Sequence, residues 1–179
     1  YIKPEEWNDF ITDKSVIAID VRNDYEIGVG TFAYSKSPNT KNFREFNNYI
    51  KDSKNNFKNK KIAIFCTGGI RCEKASALFQ ANNVKNVYQL EGGIINYFDK
   101  AKSTDMWEGE CFVFDDRVTV DRNLKAGNYK QCFACRRPLS NDDLKKPQYI
   151  EGISCHNCHL EKTDDDRKRF TERQKQKQK

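Results

Sequence analysis

The chain has 179 residues, 37% apolar and 32% charged, which suits one ordinary domain with a true core plus a small appendage. No apolar run approaches the roughly 20 residues of a membrane span, and no secretory apolar stretch opens the sequence, so a membrane partner is not expected and a cytoplasmic setting is. The net charge is +6 and falls wholly in the last thirteen residues, Arg167 to Lys179, where seven Lys or Arg face one acid, Glu172; residues 1–166 sum to zero.

Pro4 to Ile11 reads as a short helix, with Pro4 suited to its first turn. Ser15 to Val21 is a short apolar run rich in β-branched residues, the pattern of a buried strand. Tyr25 to Thr40, holding Gly28, Gly30, Pro38 and Asn39, reads as loop. Phe43, Phe46 and Ile50 recur at helical spacing, and Asn55 to Lys61 is polar and turn-like. Lys61 to Phe65 is the clearest strand, and Arg71 to Asn82 follows as a helix with Ala75, Leu78 and Phe79 on one face. Val87 to Leu90 reads as a strand and Ile94 to Ala101 as a helix. Strands alternating with helices predict an α/β domain, a largely parallel central sheet flanked by helices.

After Ser103 the pattern changes. Cys111 to Phe114 is strand-like, two C-x-x-C pairs follow, and Thr163 with Asp164 to Asp166 caps a polar helix or coil. We expect a catalytic domain over 1–105 and a small Cys-rich C-terminal extension with a basic tail over 106–179. Tyr1 stands where a Met would open a complete chain, so the sequence is expected to be a piece of a longer protein.

Seven cysteines without a secretory signal point to catalysis or metal binding rather than to a disulfide framework. Cys132, Cys135, Cys155 and Cys158 form two pairs separated by nineteen residues, the spacing of a tetrahedral zinc site. The alternatives are two pairs without metal, or a ligand set in which His156 or His159 replaces a cysteine. The segment has few large apolar residues, and units that small usually need such a staple. Nearby Lys130, Arg136 and Arg137 could then face RNA. The basic tail is either a second handle for nucleic acid or a solvated, frayed end.

Cys66 ends the clearest strand and opens the loop Cys66-Thr67-Gly68-Gly69-Ile70-Arg71 ahead of a helix. Loop N–H groups converge on one point there, the helix N-terminus adds positive charge, and Arg71 closes the loop with a cationic fork. A cysteine in that field is a thiolate nucleophile. The plain alternative is an inert buried cysteine before a glycine turn. Auxiliary candidates are Cys72, which either resolves an oxidised Cys66 or packs on the sheet, and Asp20 with Arg22, which suit a structural ion pair under the loop. Glu73 and Lys74 either line the pocket or are ordinary exposed helix charges.

The markers Asp20-x-Arg22, Cys66 to Arg71 and Leu90-Glu91-Gly92-Gly93-Ile94 resemble those of a rhodanese-like domain. That resemblance implies a loop that cradles a persulfide or another anion. Phosphatases of the same architecture use a loop one residue longer, so the four residues between Cys66 and Arg71 favour sulfur chemistry. The longer string Cys66 to Ser76 resembles the TrhO family of bacterial tRNA uridine(34) hydroxylases. So do Phe43 to Phe46, Cys111 to Val118, the two cysteine pairs and Glu172-Arg173-Gln174. The family normally carries a further N-terminal α/β domain, which this chain lacks.

The family resemblance implies oxygen-dependent hydroxylation of wobble uridine 34, with molecular oxygen as co-substrate, the tRNA anticodon loop as partner and Cys66 as the active-site cysteine. Nothing in composition or spacing shows oxygen chemistry; no flavin or NAD fingerprint and no iron-binding His/carboxylate triad stand in the sequence. Two other functions compete: a sulfurtransferase carrying a persulfide on Cys66, and a non-catalytic RNA- or protein-binding module built on the zinc unit and tail.

Overall fold

The computed structural model describes residues 1–177, so Gln178 and Lys179 of the basic tail lie outside the described residues. The chain forms two compact units. One comprises residues 1–113 and 120–125, the other residues 114–119 and 126–179.

The first unit runs α1 (Pro4–Thr12), β1 (Val16–Asp20), α2 (Asp24–Ile27), β2 (Gly30–Phe32), α3 (Phe46–Ser53), β3 (Lys61–Phe65), α4 (Ile70–Ala81), β4 (Val87–Gln89), α5 (Gly93–Lys100) and β5 (Trp107–Gly109). Strands β1, β3 and β4 form a parallel sheet in the order β1-β3-β4, with Val16 opposite Lys61 and Ile62 opposite Val87. Single parallel bridges, Ile19 to Lys36 and Ile2 to Leu90, continue the sheet at each edge. The expected α/β fold with its parallel sheet is therefore present.

Alternation along the strands divides the core in two. Ile62 and Ile64 of β3, with Ile19 of β1, meet Phe46 and Ile50 of α3 and Ala75 and Phe79 of α4. Ala63 and Phe65 point the other way, toward Trp7 and Ile11 of α1 and Ile94, Tyr97 and Phe98 of α5. Both faces are thus covered, as a parallel sheet requires.

The stretch 25–40 departs from the loop reading. It holds the one-turn helix α2 and the strand β2, which pairs antiparallel with β5 through Phe32 and Trp107. Phe32 stands edge-on to Phe65, Tyr97 and Trp107 at centroid distances of 4.8, 4.7 and 5.1 Å. That burial, not a local pattern, orders the segment. The strand expected over Cys111 to Phe114 is shorter, β6 (Cys111–Phe112), and is followed by β7 (Thr119–Val120).

The second unit contains an antiparallel hairpin of β8 (Lys130–Gln131) and β9 (Pro138–Leu139), then the helix α6 (Asp164–Lys177). Its buried core is Leu139 with Cys132, Cys155 and Cys158. The C-terminal segment is a helix rather than a frayed coil. Thr163 and Asp166 cap it reciprocally, and Asp164, Asp165 and Asp166 pair with Arg167, Lys168 and Arg169 one turn on. Arg173 donates to the carbonyls of Phe133 and Gly152, both at 2.9 Å, and so ties the helix to the cysteine hairpin. No helix among the described residues is long and apolar enough to cross a membrane.

Candidate active site and metal centre

Cys66 follows the last residue of β3, and α4 begins four residues later at Ile70. Gly69 takes the left-handed conformation, φ 86°, that lets the chain turn from strand to helix in so few residues. The Gly69 N–H donates to Cys66 Sγ at 3.2 Å. The loop carbonyls are held from behind: Ile94 N–H donates to the Cys66 carbonyl at 3.0 Å and Ile95 N–H to that of Thr67 at 3.1 Å. With its carbonyls committed to the start of α5, the loop keeps its N–H groups for the sulfur. Gly93 makes that approach feasible, since a Cβ there would lie 2.5 Å from the Cys66 oxygen and 2.7 Å from Gly69 N.

These donors set the charge on Cys66. The Cys72 thiol, hydrogen-bonded to Cys66, lowers its pKa most; burial opposes this, and the Cys72 and Arg71 N–H groups and the Arg71 charge add to the lowering. The result is about 6, against an ordinary 9.0, so the thiolate dominates at neutral pH. Cys72 moves the opposite way, raised by its bond to Cys66 and then by burial. The two sulfurs thus hold one proton between them, and it resides on Cys72. Cys72 is fully buried against the sheet in the same cluster as Cys66, so both roles weighed for it begin from the same position.

Asp20 and Arg22 form a fully buried pair, with Arg22 Nη2 to Asp20 Oδ2 at 2.6 Å and Nε to Oδ1 at 2.9 Å. Arg22 also donates to the Gly30 carbonyl at 2.6 Å and stacks over Trp107, while Thr31 donates to Asp20 at 2.7 Å. This pair locks β1 to β2 and has the structural form expected of it. Glu73 accepts from Tyr1 and Gln89 at 2.7 and 2.6 Å, and Lys74 is exposed.

Sequence reasoning gave no site role to Glu26 or to Cys111. Glu26, fully buried in α2, takes Arg71 in a two-point ion pair, 2.6 Å from Nη1 and 2.7 Å from Nη2. Its spacing within a capping box, Asn23 to Glu26, was the one local clue. Cys111 lies 4.0 Å from Arg22 Nη1. Burial pushes its thiol up to about 12, outweighing the opposing Arg22 charge and Thr67 hydroxyl, so it stays protonated.

Ile70, in the same loop, is 76% exposed. Thr67 donates to the Phe112 carbonyl at 3.4 Å, and Gly68 has open space where a Cβ would be.

In the second unit, Cys132 and Cys135 sit in the β8–β9 turn, and Cys155 and Cys158 follow a tight bridge from Ile150 to Ser154. Their sulfurs all lie within 4.8 Å of one another. Cys132 to Cys158 is 3.9 Å, and Cys135 to Cys155 and Cys155 to Cys158 are each 3.7 Å. A tetrahedron of thiolates about 2.3 Å from a zinc ion has edges of about 3.8 Å, so the four could hold one metal. Neither histidine belongs to this group of four. His156 Nε2 lies 3.6 Å from Asp143, and His159 Nδ1 lies 2.9 Å from the His156 carbonyl.

A family model for the rhodanese-like domain matches residues 3–100. Among solved structures, a rhodanese-like domain protein from Staphylococcus aureus is 27% identical, with 60% of this chain and 95% of that one covered and a TM-score of 0.45. A rhodanese-related protein from Thermoplasma volcanium is 23% identical over 55% of this chain and 89% of that one, TM-score 0.42. A rhodanese-like domain from Anabaena is 12% identical over 60% and 77%, TM-score 0.48.

Proposed function

This chain belongs to the rhodanese-like domain family, and on that footing we propose that it is an RNA-modifying enzyme of the TrhO type, hydroxylating C5 of wobble uridine 34 in tRNA. The observation that carries the reading is the Cys66 thiolate, charged at neutral pH at the centre of a short anion-binding loop. The stretches that resemble TrhO, spread along the chain from Phe43 to Gln174, support tRNA as the target of that thiolate.

Uracil C6 is the electron-poor end of a conjugated double bond. Attack by Cys66 forms a C6–S bond and moves the electron pair to C5, the carbon to be oxidised. The C5 carbanion bonds dioxygen as a hydroperoxide. Two further thiols, from a cellular thiol reductant, reduce it to the C5 hydroxyl with release of water and formation of their disulfide. Loss of the C5 proton then restores the ring and expels the Cys66 thiolate. Uridine, dioxygen and two thiols give 5-hydroxyuridine, water and a disulfide. The base must leave its stack to reach the loop, which an anticodon loop permits at small cost. Catalysis belongs to residues 1–105. Residues 106–179 hold a structural zinc on Cys132, Cys135, Cys155 and Cys158 and offer Lys130 and Arg136 to RNA. Chemistry on reduced thiols suits the cytoplasm. Nucleoside mass spectrometry of tRNA from cells with and without the intact gene tests the reading. Loss of 5-hydroxyuridine supports it, and an unchanged level rejects it.

A second reading, sulfurtransfer through a Cys66 persulfide, is favoured by the four-residue gap to Arg71 and by the commitment of Arg71 to Glu26, which leaves the Gly69 N–H and the Cys72 thiol as donors to the sulfur. Turnover of thiosulfate with cyanide as acceptor distinguishes it from hydroxylation.

A further inference from the structure

We infer that a lysine-lined cleft at the opposite end of the parallel sheet from Cys66 docks the phosphate backbone of the RNA, an inference that rests on the reading of RNA as substrate. Lys54, Lys58, Lys60 and Lys85 line a cleft of about 400 Å³ floored by the buried Phe57 and Val84. Its walls are the turn that enters β3 and the turn that enters β4. Asn59 and Asn83 in those turns adopt the left-handed conformation, φ 58° and 61°, which makes both reversals tight. Cys66 follows the other end of β3, a five-residue strand about 16 Å long, so the cleft is separate from the reactive loop.

The charge balance singles the cleft out. Residues 1–166 sum to zero, yet no acidic residue lines this cleft. Among the described residues none of the four lysines forms an ion pair, whereas Lys61 beside them is paired with Asp13. Lys60 is held in place by its bond to the Lys14 carbonyl at 3.0 Å. Four like charges gathered on an apolar floor repel one another until a polyanion enters. Lysine ammonium groups are point charges that neutralise phosphates without reading bases. A contact of that kind suits a substrate whose reacting base lies at the far end of the domain.

The experiment uses the full chain, a tRNA transcript and fluorescence anisotropy over a range of salt. The variant is Lys54→Gln/Lys58→Gln/Lys85→Gln, which leaves Lys60 and its structural bond intact. The expected result is at least tenfold weaker binding at 0.1 M salt. The slope of log K against log salt should also be shallower by about 2, since each lost phosphate contact removes about 0.7 to 0.9. Unchanged thermal midpoint and Cys66 alkylation rate show that the fold and the loop are intact. Binding and slope equal to the unaltered chain overturn the docking site alone. An unaltered chain that does not bind tRNA overturns the RNA reading as well. Polyglutamate binding lost in the variant, with tRNA binding retained, assigns the cleft to an acidic protein and overturns the inference.

Discussion

Glu26 and Arg71 are joined by two hydrogen bonds of 2.6 and 2.7 Å, and the Glu26 side chain has no solvent exposure. The pair connects the one-turn helix α2 to the first turn of α4, so the loop arginine is fixed by a residue 45 positions away. Charge on either partner is tolerated only with the other present.

The two halves of this pair should therefore differ in cost. Glu26→Gln keeps the size and one acceptor and leaves the partly exposed Arg71, with an expected loss of about 2 kcal/mol. Arg71→Ala strands a fully buried carboxylate and should cost more, about 3 to 5 kcal/mol. Urea midpoints at constant slope measure both. Equal midpoints for the two variants would show that burial of the carboxylate does not govern the pair.

Alkylation of Cys66 by iodoacetamide, followed by peptide mass spectrometry, should rise as the pH climbs through about 6 and level off near neutrality. Cys72→Ala removes the strongest contribution and should move the midpoint up toward the ordinary 9.0. A midpoint unmoved by that change would remove Cys72 from the account. The same shift couples to folding. Between pH 6 and 9 the unfolded chain binds a proton that the folded chain has released, so stability rises with pH across this window. The contribution is complete above 9 and is lost as the pH falls through 6. Cys66→Ser should flatten that part of the profile.

Gly93→Ala tests the support behind the loop. The new Cβ meets the Cys66 carbonyl, and φ 70° is costly for alanine by about 1 kcal/mol or more. The loop must shift away from α5, so the Cys66 alkylation midpoint should rise while the secondary structure persists. An unchanged midpoint would mean that the N–H groups are oriented by something other than α5.

The purified protein should carry one zinc per chain by elemental analysis. Cys155→Ser should remove it and open the 126–179 segment to protease, because three cysteines and Leu139 form the buried hydrophobic cluster among the described residues there. Residues 1–113 should remain resistant, with their own two-sided core. Full protease resistance of the metal-free variant would contradict a structural zinc.

What could be read from the sequence was what lies close along the chain. Strand β3, Cys66, Gly69 and α4 are contiguous, and the two cysteine pairs announce themselves by spacing. Glu26 was missed because its role is set by Arg71 far along the chain, inside a stretch whose glycines and proline read as loop. β5 was missed for a similar reason. Its three residues carry no alternation long enough to mark a strand, and it forms by pairing with β2 around Phe32 and Trp107. The helical tail was left open between helix and coil because its stabilisation comes from Arg173 reaching the hairpin carbonyls and from the Thr163 cap, with little apolar periodicity.

The central claim is that the Cys66 thiolate acts on tRNA. The most direct measurement restores a strain lacking the gene with either the unaltered protein or Cys66→Ala, at matched expression, and quantifies 5-hydroxyuridine in its tRNA by mass spectrometry. The account predicts that the unaltered protein restores the nucleoside and that Cys66→Ala leaves it absent. Full restoration by Cys66→Ala would contradict it.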